Sequence, residues 1–312
     1  MNTVKPLLRC AAIGECMLEL SAEQSSAFGA QTLRYGGDTL NTAVYMARQG
    51  VSVEYITALG DDKWSEEMLS SWQNEQVGTQ FITQVANRVP GLYAIQTLAN
   101  GEREFSYWRH ESPARELFEL EQNQALFSKL MDFDYIYLSG ITLSLYSKDV
   151  LQSLWAFFEE YKSQGGKLVF DSNYRPRNWP DAHVARACFD KVASYCDIVL
   201  PTLDDEQLFE PGLTLKQCQA YYQNLGVKEL VIKMGPDGCL VCNENETILV
   251  PTTPVKAIDT TAAGDSFNGT YLASRMKGYC AQEAAKHAHI VAGAVVQYSG
   301  AIIDPSVQPI IR

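Results

Sequence analysis

The chain has 312 residues, of which 46% are hydrophobic and 20% are charged, and its formal net charge at pH 7 is −12. A chain of this size can bury a large core as one domain. The negative net charge argues against a broad surface for nucleic acid or anionic membrane, because both require a positive field. The apolar runs are all too short to span a membrane.

The cysteines and the N-terminal segment bear on the compartment. Eight cysteines are scattered along the chain, and a protein this large does not need disulfide bonds to hold its core, so reduced thiols are expected. The apolar stretch from Cys10 meets Glu15 without a convincing cleavage pattern. These features predict a cytoplasmic protein without a signal peptide.

Short apolar runs alternate with longer amphipathic stretches. The apolar runs lie at 11–13, 135–138, 167–170, 198–200 and 230–232, and helical patterns cover 150–161 and 215–225. Apolar strands separated by helices are typical of a mostly parallel sheet with helices on both faces. The sequence therefore predicts a three-layer α/β fold.

Two segments, roughly 17–35 and 92–110, interrupt this alternation. Side chains alternate between polar and apolar at 92–98, which indicates amphipathic strands. Asn100 and Gly101 between two such strands are a hairpin signal. We expect both segments to form a small β-sheet lid within a single domain spanning 1–312. The exposed edges of such a sheet are compatible with a homo-oligomer.

The most informative stretch is Asp-Thr-Thr-Ala-Ala-Gly-Asp-Ser-Phe-Asn-Gly at 259–269, which precedes a helical pattern at 270–277. Its small residues let backbone N–H groups at a helix N-terminus approach an anion, and the helix dipole favours negative charge. Asp265 in the first turn can accept a proton from a hydroxyl group. An Asp at a helix start is also a common cap, so the residues alone leave a structural role open.

This run resembles the C-terminal signature of the PfkB (ribokinase-like) carbohydrate kinases, whose core is Asp-Thr-x-Gly/Ala-Ala-Gly-Asp. The resemblance implies an anion hole formed by Ala262, Ala263, Gly264 and Asp265, with Asp265 as general base and Gly264 giving an N–H to the transferred phosphoryl group. Ala262 replaces the Gly of many members, and the turn is expected to persist if its φ is negative. The implied cofactors are ATP and Mg²⁺, with the metal mainly on the phosphates.

The N-terminal signature of the family has a counterpart in Gly-Gly-Asp-Thr-Leu-Asn-Thr-Ala at 36–43, before a helical run at 44–48. By resemblance this segment binds the sugar. Gly37 permits close backbone approach to the ligand, and Asp38 and Asn41 can form hydrogen bonds with vicinal hydroxyl groups.

A third matching segment lies at 233–238, where an apolar strand ends in a glycine-rich turn. The resemblance places Lys233, Gly235 and Gly238 beside the nucleotide. The sequence contains neither a Walker A loop nor a Gly-x-Gly-x-x-Gly fingerprint, which disfavours P-loop and dinucleotide-binding folds. The resemblance covers about 11–300.

Within the family, Tyr-Trp-Arg at 107–109 and Asp-Ser-Asn-Tyr-Arg at 171–175 resemble elements of the 2-keto-3-deoxygluconate kinases. The implied substrate is a sugar acid, whose carboxylate Arg109 can bind through a planar bidentate pair. Tyr93 and Tyr107 are implied as aromatic walls and hydrogen-bonding groups of the same site. A packed lid aromatic is an equally good interpretation of Tyr93.

The phosphate side of the site is expected to include Asn173 and Arg175, where positive charge offsets developing negative charge. The Asn-x-x-Glu element of the family appears here as Thr-Leu-Asp-Asp at 202–205. Asp205 can hold a metal-bound water, whereas Thr202 offers no amide.

Several interpretations remain open. A kinase of a neutral sugar such as fructose or ribose is the main alternative, and a non-catalytic sugar sensor is a second one. Asp259 and Thr261 fit a monovalent-cation site, which several family members have, as well as a simple turn. Cys239 and Cys242 have Cys-x-x-Cys spacing but no further ligand nearby in sequence, which favours structural thiols.

Overall fold

The computed structural model describes residues 8–22, 30–97 and 103–311. Within them the strands are β1 (Arg9–Ile13), β2 (Met17–Ala22), β3 (Gln31–Gly36), β4 (Ser52–Ile56), β5 (Ala58–Gly60), β6 (Thr83–Val85), β7 (Leu92–Thr97), β8 (Arg103–Trp108), β9 (Tyr135–Ser139), β10 (Lys167–Asp171), β11 (Ile198–Val199), β12 (Glu229–Lys233), β13 (Cys239–Cys242) and β14 (Thr247–Val250).

The α-helices of the same residues are α1 (Asp38–Arg48), α2 (Lys63–Asn74), α3 (Leu126–Leu130), α4 (Gly140–Leu143), α5 (Lys148–Ser163), α6 (Ala182–Ala193), α7 (Leu203–Gln207), α8 (Leu215–Asn224), α9 (Ala263–Met276) and α10 (Ala281–Val295). Short 3-10 helices cover Pro113–Glu116, Glu121–Asn123, Pro176–Asn178, Gly235–Asp237 and Pro305–Val307.

Eight strands form a central sheet in the order β14-β13-β12-β11-β10-β9-β1-β4. Neighbouring strands from β12 to β4 run parallel, and β13 and β14 add an antiparallel edge. The strands β5 and β6 pair separately. The predicted mostly parallel central sheet is confirmed.

Both faces of this sheet are covered by helices. Alternate residues of a strand point to opposite faces, so Tyr135 and Tyr137 of β9 join one hydrophobic core while Ile136 and Leu138 join the other. The first core contains residues of α1, α9 and α10, and the second contains residues of α5, α6 and α8. Because both faces are buried, the strands form continuous apolar runs in the sequence. The three-layer prediction is confirmed.

The two helices predicted from amphipathic patterns are observed with nearly the expected bounds. The 150–161 pattern lies inside α5, which begins after Ser147, whose side chain accepts from the Val150 N–H. The 215–225 pattern corresponds to α8, where Thr214 and Gln217 form a reciprocal capping box. The apolar spacing and the N-terminal cap therefore indicate the same helix in both cases.

A four-stranded sheet in the order β3-β2-β7-β8 stands apart from the central sheet. The strands β2 and β7 run parallel, the outer pairs are antiparallel, and Tyr93 is directly opposite Tyr107. The turn predicted at Asn100 and Gly101 lies outside the described residues. A lid within one domain and a homo-oligomer formed through the edges of this sheet both stay predictions.

The helical patterns at 44–48 and 270–277 cover only the later parts of α1 and α9, which begin at Asp38 and Ala263, and Asp265 lies in the first turn of α9 as expected. Both helices are buried around nearly their whole circumference, so their apolar residues do not follow a one-sided pattern. They also pack closely against each other. A Cβ at Gly269 would lie 2.5 Å from the Thr42 carbonyl oxygen, which explains the glycine at this contact.

Among the described residues, no helix combines the length and apolar character needed to span a bilayer. Cys239 and Cys242 are both buried, and they belong to the cores on opposite faces of the central sheet. They therefore cannot ligate one metal ion together.

Candidate active site

A cavity of about 580 Å³ lies between the carboxyl ends of the central strands and the small sheet. Parallel strands present their carboxyl ends at one edge, which is where α/β proteins bind ligands. The cavity is lined by Glu15, Met17, Gly36, Gly37, Asp38, Asn41, Tyr93, Phe105, Tyr107, Arg109, Ile141, Arg175, Pro176, Arg177 and Asn178.

The first turn of α1 supplies the predicted sugar-binding residues. Gly37 precedes the helix, and a Cβ there would lie 2.3 Å from the Glu15 carbonyl oxygen. The Asp38 carboxylate accepts a hydrogen bond of 2.8 Å from Asn173 Nδ2. Burial raises the pKa of Asp38. Asn41 lies one turn further along the same helix.

Asp265 occupies the first turn of α9, where its Oδ2 accepts a hydrogen bond of 2.8 Å from Asn41 Nδ2. Burial, and then the negative charge of Asp38, raise the pKa of Asp265 to about 7, and the Asn41 hydrogen bond opposes this rise. A general base works best when its pKa lies near the operating pH. The two signature segments therefore meet through the Asn41–Asp265 hydrogen bond, and Asp265 is suited to accepting a proton.

The predicted anion hole is the N-terminus of α9. Ala263 N–H donates to the Thr260 carbonyl oxygen at 3.2 Å, whereas the next two N–H groups, of Gly264 and Asp265, lie in a first turn that offers no helical acceptor. Ala262 has φ 57° and ψ 17°, the left-handed region. The turn was expected to persist at Ala262 if its φ is negative; the turn is present although φ is positive, a conformation that a glycine adopts without strain.

A buried polar triad lies below the anion hole. Lys233 Nζ donates to both oxygens of Asp171 at 3.3 Å and to Asn268 Oδ1 at 3.1 Å, and Asn268 Nδ2 donates to Asp171 Oδ2 at 2.7 Å. The side chains of Lys233 and Asp171 are 8% and 4% exposed. A Cβ at Gly264 would be 3.5 Å from Lys233 Nζ, so this cation lies next to the first turn of α9.

Asp171 and Asn268 were not predicted as site residues, although both lie inside the matched motifs. Asp171 opens the segment 171–175, and Asn268 is the last residue but one of 259–269. Asp171 is a polar residue at the end of a buried strand, and Asn268 is a polar residue within a buried helix. This polarity was the sequence signal that could have identified them. Their partner is more than thirty residues away, so local sequence could not identify it.

Asn173 and Arg175 occupy different parts of the site. Asn173 has φ 31° and donates to Asp38, and its predicted position beside the nucleotide stays a prediction. Arg175 Nη1 donates to Asp205 Oδ1 and to the Tyr174 carbonyl oxygen, both at 2.8 Å. The Asp205 carboxylate, expected to hold a metal-bound water, is thus paired with a guanidinium in this structure.

The other residues predicted to lie beside the nucleotide are around the end of β12. Gly235 begins a short 3-10 helix that ends before Gly238. Thr202 pairs with Lys233 through an isolated bridge and precedes α7. The structure therefore brings the element 202–205 alongside the end of β12.

Asp259 and Thr261 form a local turn. Asp259 Oδ1 accepts from the Thr261 N–H at 3.0 Å and from Thr261 Oγ1 at 2.6 Å, and Asp259 Oδ2 accepts from the Gly300 N–H at 3.0 Å. This geometry fits a turn stabilised by a side chain. A monovalent cation at this position stays a prediction.

At the end of the cavity next to the predicted lid, which we call the lid end, Arg109 donates through Nη2 to Glu15 Oε2. The side chains are 11% and 1% exposed, and Arg109 Nε and Glu15 Oε1 are buried without a hydrogen-bond partner. The charge predicted to bind a substrate carboxylate is therefore neutralised by a protein carboxylate.

The two predicted lid tyrosines stack with ring centroids 5.8 Å apart. Tyr93 donates its phenol proton to Glu19, whereas the Tyr107 oxygen accepts from Arg177 Nη2. Burial raises the pKa of Tyr93. Arg177 was not predicted, although it follows the matched segment 171–175 by only two residues and is a second arginine there.

Comparison with known proteins assigns the family. The chain matches the pfkB family carbohydrate kinase model over residues 8–308. It is 44% identical to 2-dehydro-3-deoxygluconokinase of Escherichia coli K12, covering 96% of this chain and 99% of that one, and 44% identical to the protein of that name from Dickeya dadantii, covering 96% and 98%.

Two solved structures share the fold. One is 2-dehydro-3-deoxygluconokinase from Thermotoga maritima, with a TM-score of 0.83, 20% identity and 95% of each chain covered. The other is a putative ribokinase II in complex with ATP and Mg²⁺ from Escherichia coli, with a TM-score of 0.82, 23% identity and coverage of 95% and 94%. The family inferred from the two signatures is confirmed, and the chain belongs to the pfkB family of carbohydrate kinases.

Proposed function

We propose that this kinase transfers the γ-phosphoryl group of ATP to 2-keto-3-deoxygluconate, also called 2-dehydro-3-deoxygluconate, giving 2-keto-3-deoxy-6-phosphogluconate. The observation that carries the proposal is a single cavity lined both by Asn41, the partner of Asp265, and by three arginines, Arg109, Arg175 and Arg177. Relatives at 44% identity that bear the name 2-dehydro-3-deoxygluconokinase support the same substrate.

In the proposed reaction Asp265 accepts the proton of the 6-hydroxyl group. The hydroxyl oxygen attacks the γ-phosphorus as the bond from that phosphorus to the β-bridging oxygen breaks, and ADP leaves. The hydrogen bond from Asn41 holds the Asp265 carboxylate in place. The N–H groups of Gly264 and Asp265, together with the nearby Lys233 ammonium, stabilise the charge of the phosphoryl group during transfer.

We assign the phosphates and the base of ATP to two regions of the molecule. The unpaired N–H groups of the first turn of α9 suit the phosphates. A second concave region of about 390 Å³, lined in part by Thr252, Val255, Ile290 and Gly293, adjoins the segment that leads to this turn, and we assign it to the base. The described residues contain no cluster of metal-binding side chains, so Mg²⁺ is expected on the phosphates, where it would neutralise charge.

A sugar acid suits the cavity better than a neutral sugar. Arg109 and Arg175 already pair with Glu15 and Asp205, so a fructose- or ribose-type substrate would leave Arg177 without an anionic ligand. We also propose that the small sheet is a lid on a single kinase domain and that its closure excludes water, which favours transfer to the sugar over hydrolysis of ATP.

The test is ATP consumption by the purified protein with 2-keto-3-deoxygluconate, beside fructose, ribose and gluconate, repeated with Asp265→Asn. The expected result is preferred turnover of the keto-deoxy acid and its loss in the variant. Asp149→Asn is a matched control, because Asp149 also lies in the first turn of a helix but is exposed. Turnover of a neutral sugar alone would contradict the substrate, and ATP-independent sugar binding without turnover would favour a sensor.

A further inference from the structure

The three arginines that line the cavity differ in how their charge is balanced. Arg109 pairs with Glu15, and Arg175 pairs with Asp205. Arg177 makes no ion pair with a carboxylate within the described part of the chain, and its side-chain hydrogen bond goes to a neutral phenol. In a protein with a net charge of −12, an unbalanced cation at a cavity for an anionic ligand is a distinctive feature.

Arg177 is held in place by aromatic rings of β8. Its guanidinium lies over the Tyr107 ring at 4.2 Å and over the Phe105 ring at 5.3 Å, measured to the ring centroids. Cation–π contacts of this kind orient the guanidinium while its N–H groups remain available. The residue is exposed, so a ligand entering the cavity can reach it.

The hydrogen bond between Arg177 and Tyr107 also determines what the phenol can do. A guanidinium only donates hydrogen bonds, so the Tyr107 oxygen is the acceptor and its own proton stays available for a ligand. Tyr93 differs, because it donates its proton to Glu19. Of the two stacked tyrosines, Tyr107 is therefore the one that can donate to a carboxylate.

Positive charge converges on this phenol. Burial raises the pKa of Tyr107, and the charges of Arg177, Arg109 and Arg175 oppose that rise. All three guanidinium charges act on this phenol, and Arg177 contacts its ring directly.

We infer that Arg177 and Tyr107 together bind the carboxylate of the sugar acid, and that Arg177 is the residue that selects an acid over a neutral ketose. This inference rests on the proposed function. Arg177 follows β10 of the central sheet, whereas Tyr107 belongs to β8 of the small sheet. The two side chains already contact each other, so a carboxylate bound by both reinforces an existing link between the two sheets.

The experiment compares kcat/KM for 2-keto-3-deoxygluconate and for 3-deoxyfructose, a neutral analogue that carries a hydroxymethyl group in place of the carboxylate. Arg177→Gln is expected to lower the value for the acid about 10- to 100-fold, mainly through KM, because charge-assisted hydrogen bonds are lost. The value for 3-deoxyfructose should change by less than about twofold on the same grounds. Arg177→Lys keeps the charge without the planar fork and should give an intermediate loss.

Two further variants complete the design. Tyr107→Phe keeps the stacked ring but removes the phenol donor, and it should also reduce the preference for the acid. Lys191→Gln is the matched control, since Lys191 is an exposed cation over the Tyr195 ring at 4.9 Å and does not line the cavity. It should leave the preference unchanged.

The outcomes distinguish a failure of the proposed function from a failure of the role assigned to Arg177. If the wild-type protein does not phosphorylate the acid, the proposed function and this inference are both wrong. If the wild-type protein prefers the acid and a folded Arg177→Gln variant keeps the same preference, the proposed function stands and the selecting role of Arg177 is overturned.

Discussion

The two ends of the cavity are built differently. At the catalytic end, buried side chains from α1, β10, β12 and α9 hold one another through amide–carboxylate and ammonium–carboxylate contacts, as between Asn41 and Asp265 or between Lys233 and Asp171. At the lid end, the Arg109 guanidinium meets the Glu15 carboxylate, and the exposed Arg177 guanidinium meets the Tyr107 phenol of β8.

The difference follows from the chemistry at each end. Proton transfer needs a desolvated carboxyl group in a fixed position, because burial is what brings its pKa towards neutrality. Recognition of a charged ligand needs donors that water and the ligand can reach. Substitutions at the catalytic end should therefore alter both stability and turnover, whereas substitutions at the lid end should mainly alter selectivity.

The largest effect is expected for Asp265→Asn, which should lower kcat by about 10²- to 10⁴-fold through loss of the base. The same variant should unfold less readily, because an amide can keep the Asn41 hydrogen bond without placing a charge in the interior. The pKa of Asp265 is about 7 in the folded protein against an ordinary 3.8, so the folded state binds the proton more tightly, and this stabilising contribution is lost as pH rises from about 4 to 7.

Urea denaturation of the wild type and of Asp265→Asn at pH 4 and pH 8 tests the direction of this change in the free energy of unfolding. We expect similar free energies of unfolding at pH 4 and a gain of up to about 4 kcal/mol for the variant at pH 8. Wild-type kcat/KM should rise with pH through about 7. A variant less stable than the wild type at pH 8 would mean that the ionised carboxylate is well accommodated.

Lys233→Met should cause the next largest effect, a loss of about 3–5 kcal/mol in the free energy of unfolding, because it leaves the Asp171 carboxylate buried without its cation. The double variant Lys233→Met/Asp171→Asn removes that charge and should recover part of the loss. Denaturation midpoints of both proteins provide the measurement. No recovery in the double variant would assign the loss to packing and would weaken the contrast between the two ends.

The smallest effect is expected for Ala262→Gly. A residue with a Cβ at φ 57° is strained, so glycine should raise the free energy of unfolding by about 1 kcal/mol. Ala156→Gly, in the exposed middle of α5, is the control and should lower it by about 1 kcal/mol. A loss of stability in both variants would contradict the inference that the backbone at Ala262 is strained.

Local sequence was sufficient for the layered fold, because apolar runs and capped amphipathic helices such as α5 carry their own signals. It was also sufficient to name Asp265 and Asn41 through motif resemblance. Local sequence could not predict which side chains contact each other across the fold. Lys233 and Asp171 are 62 positions apart, and Arg177 and Tyr107 are 70 apart. No periodic pattern encodes such contacts, and the left-handed conformation of Ala262 depends on the turn that packing imposes.

The hydrogen bond between Asn41 and Asp265 joins residues 224 positions apart. Chains are synthesised from the N-terminus and fold as their segments become available, so α1 leaves the ribosome long before α9 exists. A growing chain that ends before Asp265 contains Asn41 but lacks the proposed base. In the proposed reaction, kinase activity therefore arises only after α9 is complete and packs against α1, and a shorter chain does not consume ATP by this route.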